Sequence, residues 1–350
     1  MKRFNITRTS ASWIFLVVLI SQSCSKSSIP YTQSGNWVSR SSFNGPNRSE
    51  AVVFTIGEFA YMGTGVDQNF KRYNDLWQYD VANDNWVQLA NMPDTNKTGG
   101  LTARSSAVAF SVGAKGYIGT GYDGYNPIKD FWEYDQASNE WAQKADFAGT
   151  ARYDAVAFGI QSLGYVSTGY DGSNAQKDFW QYDPSNDSWT QRVSMGGDKR
   201  SGAVAFVYND KGYIVTGINS GTQTSDFWVF DPSQPEASSW KQLRRITNFS
   251  TENYDDSYIN IVRNNAVAVV INGKAYLTTG ANISLYNTTW EYHFDTDAWQ
   301  QKTPYEGANR EGAIGFSVDG RGFVGLGKSA SSAFDDLREF HPDEVYNVND

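Results

Sequence analysis

The stretch DFWQYDPSNDSW at residues 178–189 has a near copy, DFWEYDQASNEW, at residues 130–141. In both, an acidic residue opens a short apolar run, a polar centre follows, and a second Trp stands nine residues after the first. Two short apolar runs around a centre rich in Pro, Asn and Asp make a β-hairpin pattern, because those residues fix the backbone of the turn. A chain that repeats such a hairpin must be searched for a longer repeat before anything else.

Working outward from this stretch, four landmarks recur six times in fixed order. An Arg precedes a small-residue apolar run: AVVF after Arg48, AVAF after Arg104, Arg152 and Arg200, AVAV after Arg263 and AIGF after Arg310. An aromatic then leads to glycine, as in YMGTG (61–65), YIGTG (117–121), YVSTG (165–169), YIVTG (213–217), YLTTG (276–280) and FVGLG (323–327). The third landmark is the opening hairpin's first run, from DLWQYD (75–80) to DLREFH (336–341), and the fourth is a lone Trp at 86, 141, 189, 240 and 299. Successive arginines lie 56, 48, 48, 63 and 47 residues apart. Four β-type segments per unit at this period, with no helical periodicity, predict a propeller with one blade per unit.

The pattern resembles the kelch-repeat family, the galactose oxidase/kelch superfamily, over residues 37–342. The family's double glycine is Thr-Gly here, and Leu-Gly in the last copy. The resemblance implies an all-β, six-bladed kelch β-propeller. Side-chain sizes agree with a ring of blades, since Ala recurs in the first segment, nearest the axis, and aromatics fill the third and fourth. The last copy has no fourth-segment Trp, whereas GNWVSR (35–40) precedes the first copy and resembles DNWVQL (84–89). Trp37 is therefore expected to lie on an N-terminal strand that completes the last blade and hides a sheet edge.

Composition bounds the partners. The net charge of −9 argues against a nucleic-acid backbone as ligand. A basic start at Lys2 and Arg3, the apolar run SWIFLVVLI (12–20) and SQSC (21–24) read as an export signal, too short to span a membrane. Cys24, the only cysteine, resembles the lipidated cysteine of bacterial lipoproteins. The expected organisation is a signal peptide over 1–23, a linker over 24–34 and a propeller over 35–346. The expected location is an exported lipoprotein at the outer membrane or in the periplasm, or, alternatively, a secreted protein. The membrane would be contacted only through the N-terminal lipid, and a monomer is expected.

Strand alternation places the loop before each first strand and the loop between the second and third strands on one face. That face carries Arg48, Arg104, Arg152, Arg200, Arg263 and Arg310, the loop tyrosines Tyr122 and Tyr170, and the insertions at 92–103 and 244–262. Loops on a rigid scaffold are the usual place for function, so these arginines and tyrosines are the candidate ligand-binding residues. Two readings of the arginines stay open. They form a cationic ring for an acidic ligand, or they pair with Asp75, Asp130, Asp178, Asp226 and Asp336; Thr288 breaks that series, which marks Arg263 as the arginine for a ligand. The tyrosines either stack on sugars or pack the loops together. DGYN (123–126) and DGSN (171–174) read as turns rather than calcium loops.

Galactose-oxidase chemistry needs a cysteine and several histidines in the propeller, and the chain has only His293 and His341 there. A Ser-His-Asp hydrolase and a zinc site fail for the same shortage. No catalytic residue, metal or cofactor is assigned. The expectation is a non-catalytic binding protein of the cell envelope that engages a glycan, or an envelope or secreted protein, through the arginine-bearing face. The alternative is a metal-independent sugar epimerase or mutarotase resembling the sialic acid mutarotase, with Glu252, Asp255 and Asp256 as candidate acids.

Overall fold

Glycine placement shows how the repeats pack. A Cβ on Gly116 would lie 2.0 Å from the ring of Phe54, and one on Gly164 would lie 2.1 Å from the ring of Phe110. Each of these second-strand glycines thus leaves room for an aromatic of the preceding unit. Phe54, for example, stacks on Tyr61 of its own unit at 5.2 Å and reaches Tyr134 of the next at 6.5 Å. The computed structural model describes Met1, residues 34–247 and residues 261–350. Within it, such contacts join six four-stranded antiparallel sheets, the blades.

Blade one comprises Val52–Ile56, Phe59–Gly63, Leu76–Asp80 and Asn85–Gln88. Blade two comprises Val108–Val112, Lys115–Gly119, Phe131–Asp135 and Glu140–Gln143, and blade three Tyr153–Ile160, Leu163–Tyr170, Phe179–Asp183 and Ser188–Arg192. Blade four runs through Val204–Tyr208, Lys211–Val215, Phe227–Phe230 and Trp240–Leu243, and blade five through Val267–Ile271, Lys274–Thr278, Thr289–His293 and Ala298–Lys302. Blade six has Ile314–Val318, Arg321–Gly325 and Leu337–Val345, and its outer strand is Ser34–Arg40 from the other end of the chain. Each first strand touches the first strands of both neighbouring blades, and blade six touches blade one, so the first strands line a closed ring around an axial channel.

The closing strand pairs Trp37 opposite Phe340. Trp37 is fully buried, between Phe340 at 4.5 Å and Tyr305 at 4.9 Å. The fourth-strand tryptophans do more than fill space. Trp86, Trp141, Trp189 and Trp240 donate their indole N–H to the carbonyls of Ser41, Ala90, Ala145 and Val193, each just past the outer strand of the preceding blade. Trp37 does the same to Thr303 at 3.3 Å, past the outer strand of blade five. The repeated Trp therefore staples neighbouring blades together, and the staple of blade six comes from the N-terminal strand.

The insertion at 92–103 folds on itself, with Thr95 bridged to Leu101 and the backbone N–H of Lys97 donating to Gln143 Oε1 at 2.7 Å. The loop at 217–224 forms a small hairpin, Ile218–Asn219 with Thr222–Gln223. Cys24, Glu252, Tyr254, Asp255, Asp256 and Tyr258 lie outside the described residues.

Candidate binding mouth on the arginine-bearing face

The six arginines of the repeat are buried, at 0–1% exposure. Their guanidinium groups are fully engaged within their own blades, which corrects the expectation of a cationic ring open to ligand. Arg104 shows the arrangement. Nη1 and Nη2 donate to Asp130 Oδ1 and Oδ2 at 2.9 and 2.7 Å, Nη1 also to the Thr120 carbonyl at 3.0 Å, and Nε to the Thr102 carbonyl at 2.7 Å. Arg48, Arg152 and Arg310 hold Asp75, Asp178 and Asp336 by the same two-pronged contact, and Arg200 holds Asp226. The indoles of Trp77, Trp132, Trp180 and Trp228 donate to the same carboxylates. A buried charge persists only when paired and hydrogen-bonded, and each pair meets that demand. Burial pushes the carboxyls of Asp178 and Asp226 up, but their arginines outweigh it and hold both below the ordinary value.

Arg263 departs only in its partner. Nη2 donates to Thr288 Oγ1 at 2.7 Å, and Nη1 to the carbonyls of Thr279 and Thr288 at 2.7 and 3.1 Å. It is as buried as the others and lies under Tyr286, its Cζ 5.0 Å from the ring centre. It is therefore no more exposed to a ligand than the other five. Tyr73 covers Arg48 in the same way, at 4.1 Å.

Every arginine hub draws on a strained residue. Thr64, Thr120, Thr168, Thr216, Thr279 and Leu326 all sit at φ between 53 and 63°, and their carbonyls accept from the arginines. The left-handed backbone turns each carbonyl toward the guanidinium. This geometry explains why the position that is glycine in the family can be Thr here: the hub offsets the steric cost.

What reaches the axis is the residue two places after each arginine, a position the sequence reading missed. Glu50, Ser106, Asp154, Gly202, Asn265 and Gly312 all have φ between 51 and 60°. Their N–H groups donate in a closed cycle, each to the equivalent residue of the preceding blade, at 2.8–3.0 Å; Glu50 donates to Gly312 and completes it. A second cycle lies outside it, in which Gly65, Gly121, Gly169, Gly217, Gly280 and Gly327 each donate to the carbonyl of the next blade's arginine at 2.7–2.9 Å. These twelve bonds make the channel mouth a rigid rim.

The rim is chemically uneven. Lys328 Nζ pairs with Glu50 Oε1 at 2.5 Å, Ser106 Oγ donates to Glu50 Oε2 at 3.2 Å, and Asn265 Nδ2 donates to Glu311 Oε2 at 3.3 Å. Burial raises the Glu50 carboxyl, but Lys328 and the serine hydroxyl bring it below its ordinary value. Burial, with the charge of Glu50 added, pushes Asp154 up to about 6 against a hydrogen bond from Ser106. Blades one to three raise an aromatic wall beside these groups. Arg72 Cζ lies 4.9 Å over the Tyr122 ring, Tyr122 lies 5.3 Å from Tyr153, and Tyr153 lies 5.6 Å from Tyr170. All three tyrosines are partly buried. The candidate residues Tyr122 and Tyr170 are thus brought together, through a Tyr153 that the sequence reading passed over. Phe70 and Tyr125 are 80% and 82% exposed at neighbouring loop tips. Asp123 and Asp171 cap turns through the backbone N–H groups of residues 125, 126, 173 and 174.

The histidines lie elsewhere. His293 Nε2 is 2.7 Å from Glu291, and His341 Nδ1 is 2.8 Å from Glu344.

The sequence model of the KLHDC2/KLHL20/DRC7 Kelch-repeats domain matches residues 36–199, from the closing strand through blade three. No curated protein sequence matches the chain. Among solved structures, that of YjhT is similar, with a TM-score of 0.67 and 15% identity over 85% of this chain and 95% of that one, a likeness of fold. The chain is an all-β, six-bladed propeller closed by its N-terminal strand, and its first three blades match a kelch-repeat model.

Proposed function

We propose that this protein is a binding protein of the bacterial cell envelope and that it engages a glycan at the mouth of its channel. The observation that carries the reading is the run Tyr122–Tyr153–Tyr170 standing beside a rim of carboxylate, amide, hydroxyl and ammonium groups. Sugars present apolar C–H faces ringed by hydroxyls, and an aromatic wall next to fixed hydrogen-bonding groups complements both features. A glycan array probed with the full propeller tests this. Binding should fall at least tenfold in Tyr153→Ala with an unchanged melting temperature. An array without a hit, or a Tyr153→Ala variant that binds as well as the parent, overturns the reading.

The anchor belongs to the same proposal. Outer strands run toward the arginine-bearing face, so the closing strand begins at Ser34 on the opposite side. Cys24→Ala should release the protein from membranes, and unchanged retention refutes lipidation.

A second reading, a metal-independent sugar epimerase or mutarotase, is favoured by one observation. Ser106 stands between Glu50 and Asp154, two carboxyls whose surroundings push them in opposite directions. Such divergence separates a general base from a general acid. Exchange between sugar anomers, followed by NMR, should slow in Asp154→Asn if this reading holds; equal rates with and without the protein exclude it.

A further inference from the structure

The rim surrounds an open cavity of about 150 Å³ in the channel, lined by one alanine from each blade, Ala51 through Ala313. A cavity of this volume accommodates one six-membered ring. Six methyl groups line it, and its polar side chains stand at the rim. Glycine in blades four and six, Gly202 and Gly312, leaves that side of the rim low. The tyrosine wall rises on the other side.

The charges around the cavity do not balance. Three carboxyls face it or flank it: Glu50 from blade one, Asp154 from blade three and Glu311 from blade six. Among the described residues Lys328 is the one ammonium beside them, tied to Glu50, while the Arg72 guanidinium stands farther out over Tyr122. The repeat arginines lie below the rim, where aspartates neutralise five of them and Tyr286 covers Arg263. An anionic sugar would meet surplus negative charge, and a neutral sugar would leave it uncompensated. An ammonium group completes it.

We propose that this cavity takes the terminal residue of a glycan bearing a free amino group, with the ammonium against Asp154, the ring among the six alanines and the adjoining sugar against Tyr153. The inference rests on the glycan reading above and narrows it to amino sugars. Asp154 gives it a signature. Tyr153 adjoins it on its own strand, and Glu50, Ser106, Lys328 and Glu311 face it from blades one, two and six; from these, Glu50 and Glu311 add to its proton affinity, and Lys328 and Ser106 oppose them. A bound cation favours the ionised carboxylate, so affinity should rise with pH as Asp154 ionises, by severalfold between about pH 5 and 6.5.

The probes are three oligosaccharides of equal length, a fully deacetylated glucosamine oligomer, its N-acetylated form and a galacturonate oligomer, measured by calorimetry with the full chain. The amino oligomer should bind at least tenfold tighter than either of the others, more tightly at the higher pH. Asp154→Asn, which keeps a hydrogen-bonding group beside Ser106, should remove the pH dependence and weaken binding about tenfold. Equal or tighter binding of the acetylated or acidic oligomer overturns the amino-sugar assignment and leaves the glycan reading standing. Failure of every glycan on the array overturns both. Should Asp154→Asn not fold, a flat pH profile for the parent protein is by itself enough to reject the assignment.

Discussion

Arg40, on the N-terminal closing strand, and Glu339, on the C-terminal strand of blade six, meet through two hydrogen bonds from Nε and Nη2 to Oε2, at 2.7 and 2.5 Å. Arg321 holds the same carboxylate from the other side, with Nε to Oε1 and Nη2 to Oε2, both at 2.7 Å. The two ends of the chain are therefore joined by a buried carboxylate shared between two arginines, directly beside the Trp37–Phe340 pair. Burial raises the Glu339 carboxyl, but the two arginines outweigh it and hold it at about 2.

This clasp makes ring closure sensitive to acid. A carboxyl depressed in the folded state stabilises above its unfolded value and loses that contribution as pH falls through the folded value. The window is therefore from about pH 4.5 down to about 2. Arg40 and Arg321 are partly solvated, so the contribution is discounted to about 2 kcal/mol. Denaturant unfolding of Glu339→Gln should show about 2 kcal/mol less stability than the parent at pH 7 and no difference near pH 2. A constant difference across that range would remove the clasp as the cause.

Much of this is legible in the sequence alone. Trp37 had only one unfilled place to occupy, because five of six blades already owned a fourth-strand Trp, and its burial against Phe340 is where that count puts it. The arginine–aspartate spacing was visible too, at 26 or 27 residues in five blades. Sequence could not decide whether the pairs formed, because that depends on side-chain direction across two strands. The rim was hidden for a different reason. Its six positions hold Glu, Ser, Asp, Gly, Asn and Gly, so no side-chain chemistry repeats; what repeats is a left-handed backbone. The signal was present only as an excess of Gly, Asn and Asp two places after each arginine, residues that tolerate that conformation.

Removing one arginine should cost far more than a surface ion pair. Arg104→Ala leaves Asp130 buried without its partner and frees the carbonyls of Thr102 and Thr120. The expected loss is about 3–5 kcal/mol in chemical denaturation. Arg104→Lys should recover little of it, since one ammonium cannot reach both carboxylate oxygens and both carbonyls at once. A loss below about 1 kcal/mol for Arg104→Ala would show that the hub is a surface-like pair.

The threonine beside each hub gives the opposite expectation. The hydroxyls of Thr64, Thr120, Thr168, Thr216 and Thr279 are buried without a hydrogen-bond partner, while blade six carries Leu326 at the same φ. Only the backbone carbonyl is used. Thr168→Val keeps the shape and the β-branched backbone preference while deleting a buried hydroxyl that bonds nothing, so it should leave the protein as stable as the parent or raise it by up to about 1 kcal/mol. Thermal unfolding reads this directly. A loss of more than about 1 kcal/mol would mean that the hydroxyl has a partner, such as an ordered water at the hub, and that threonine was retained for its oxygen rather than its shape.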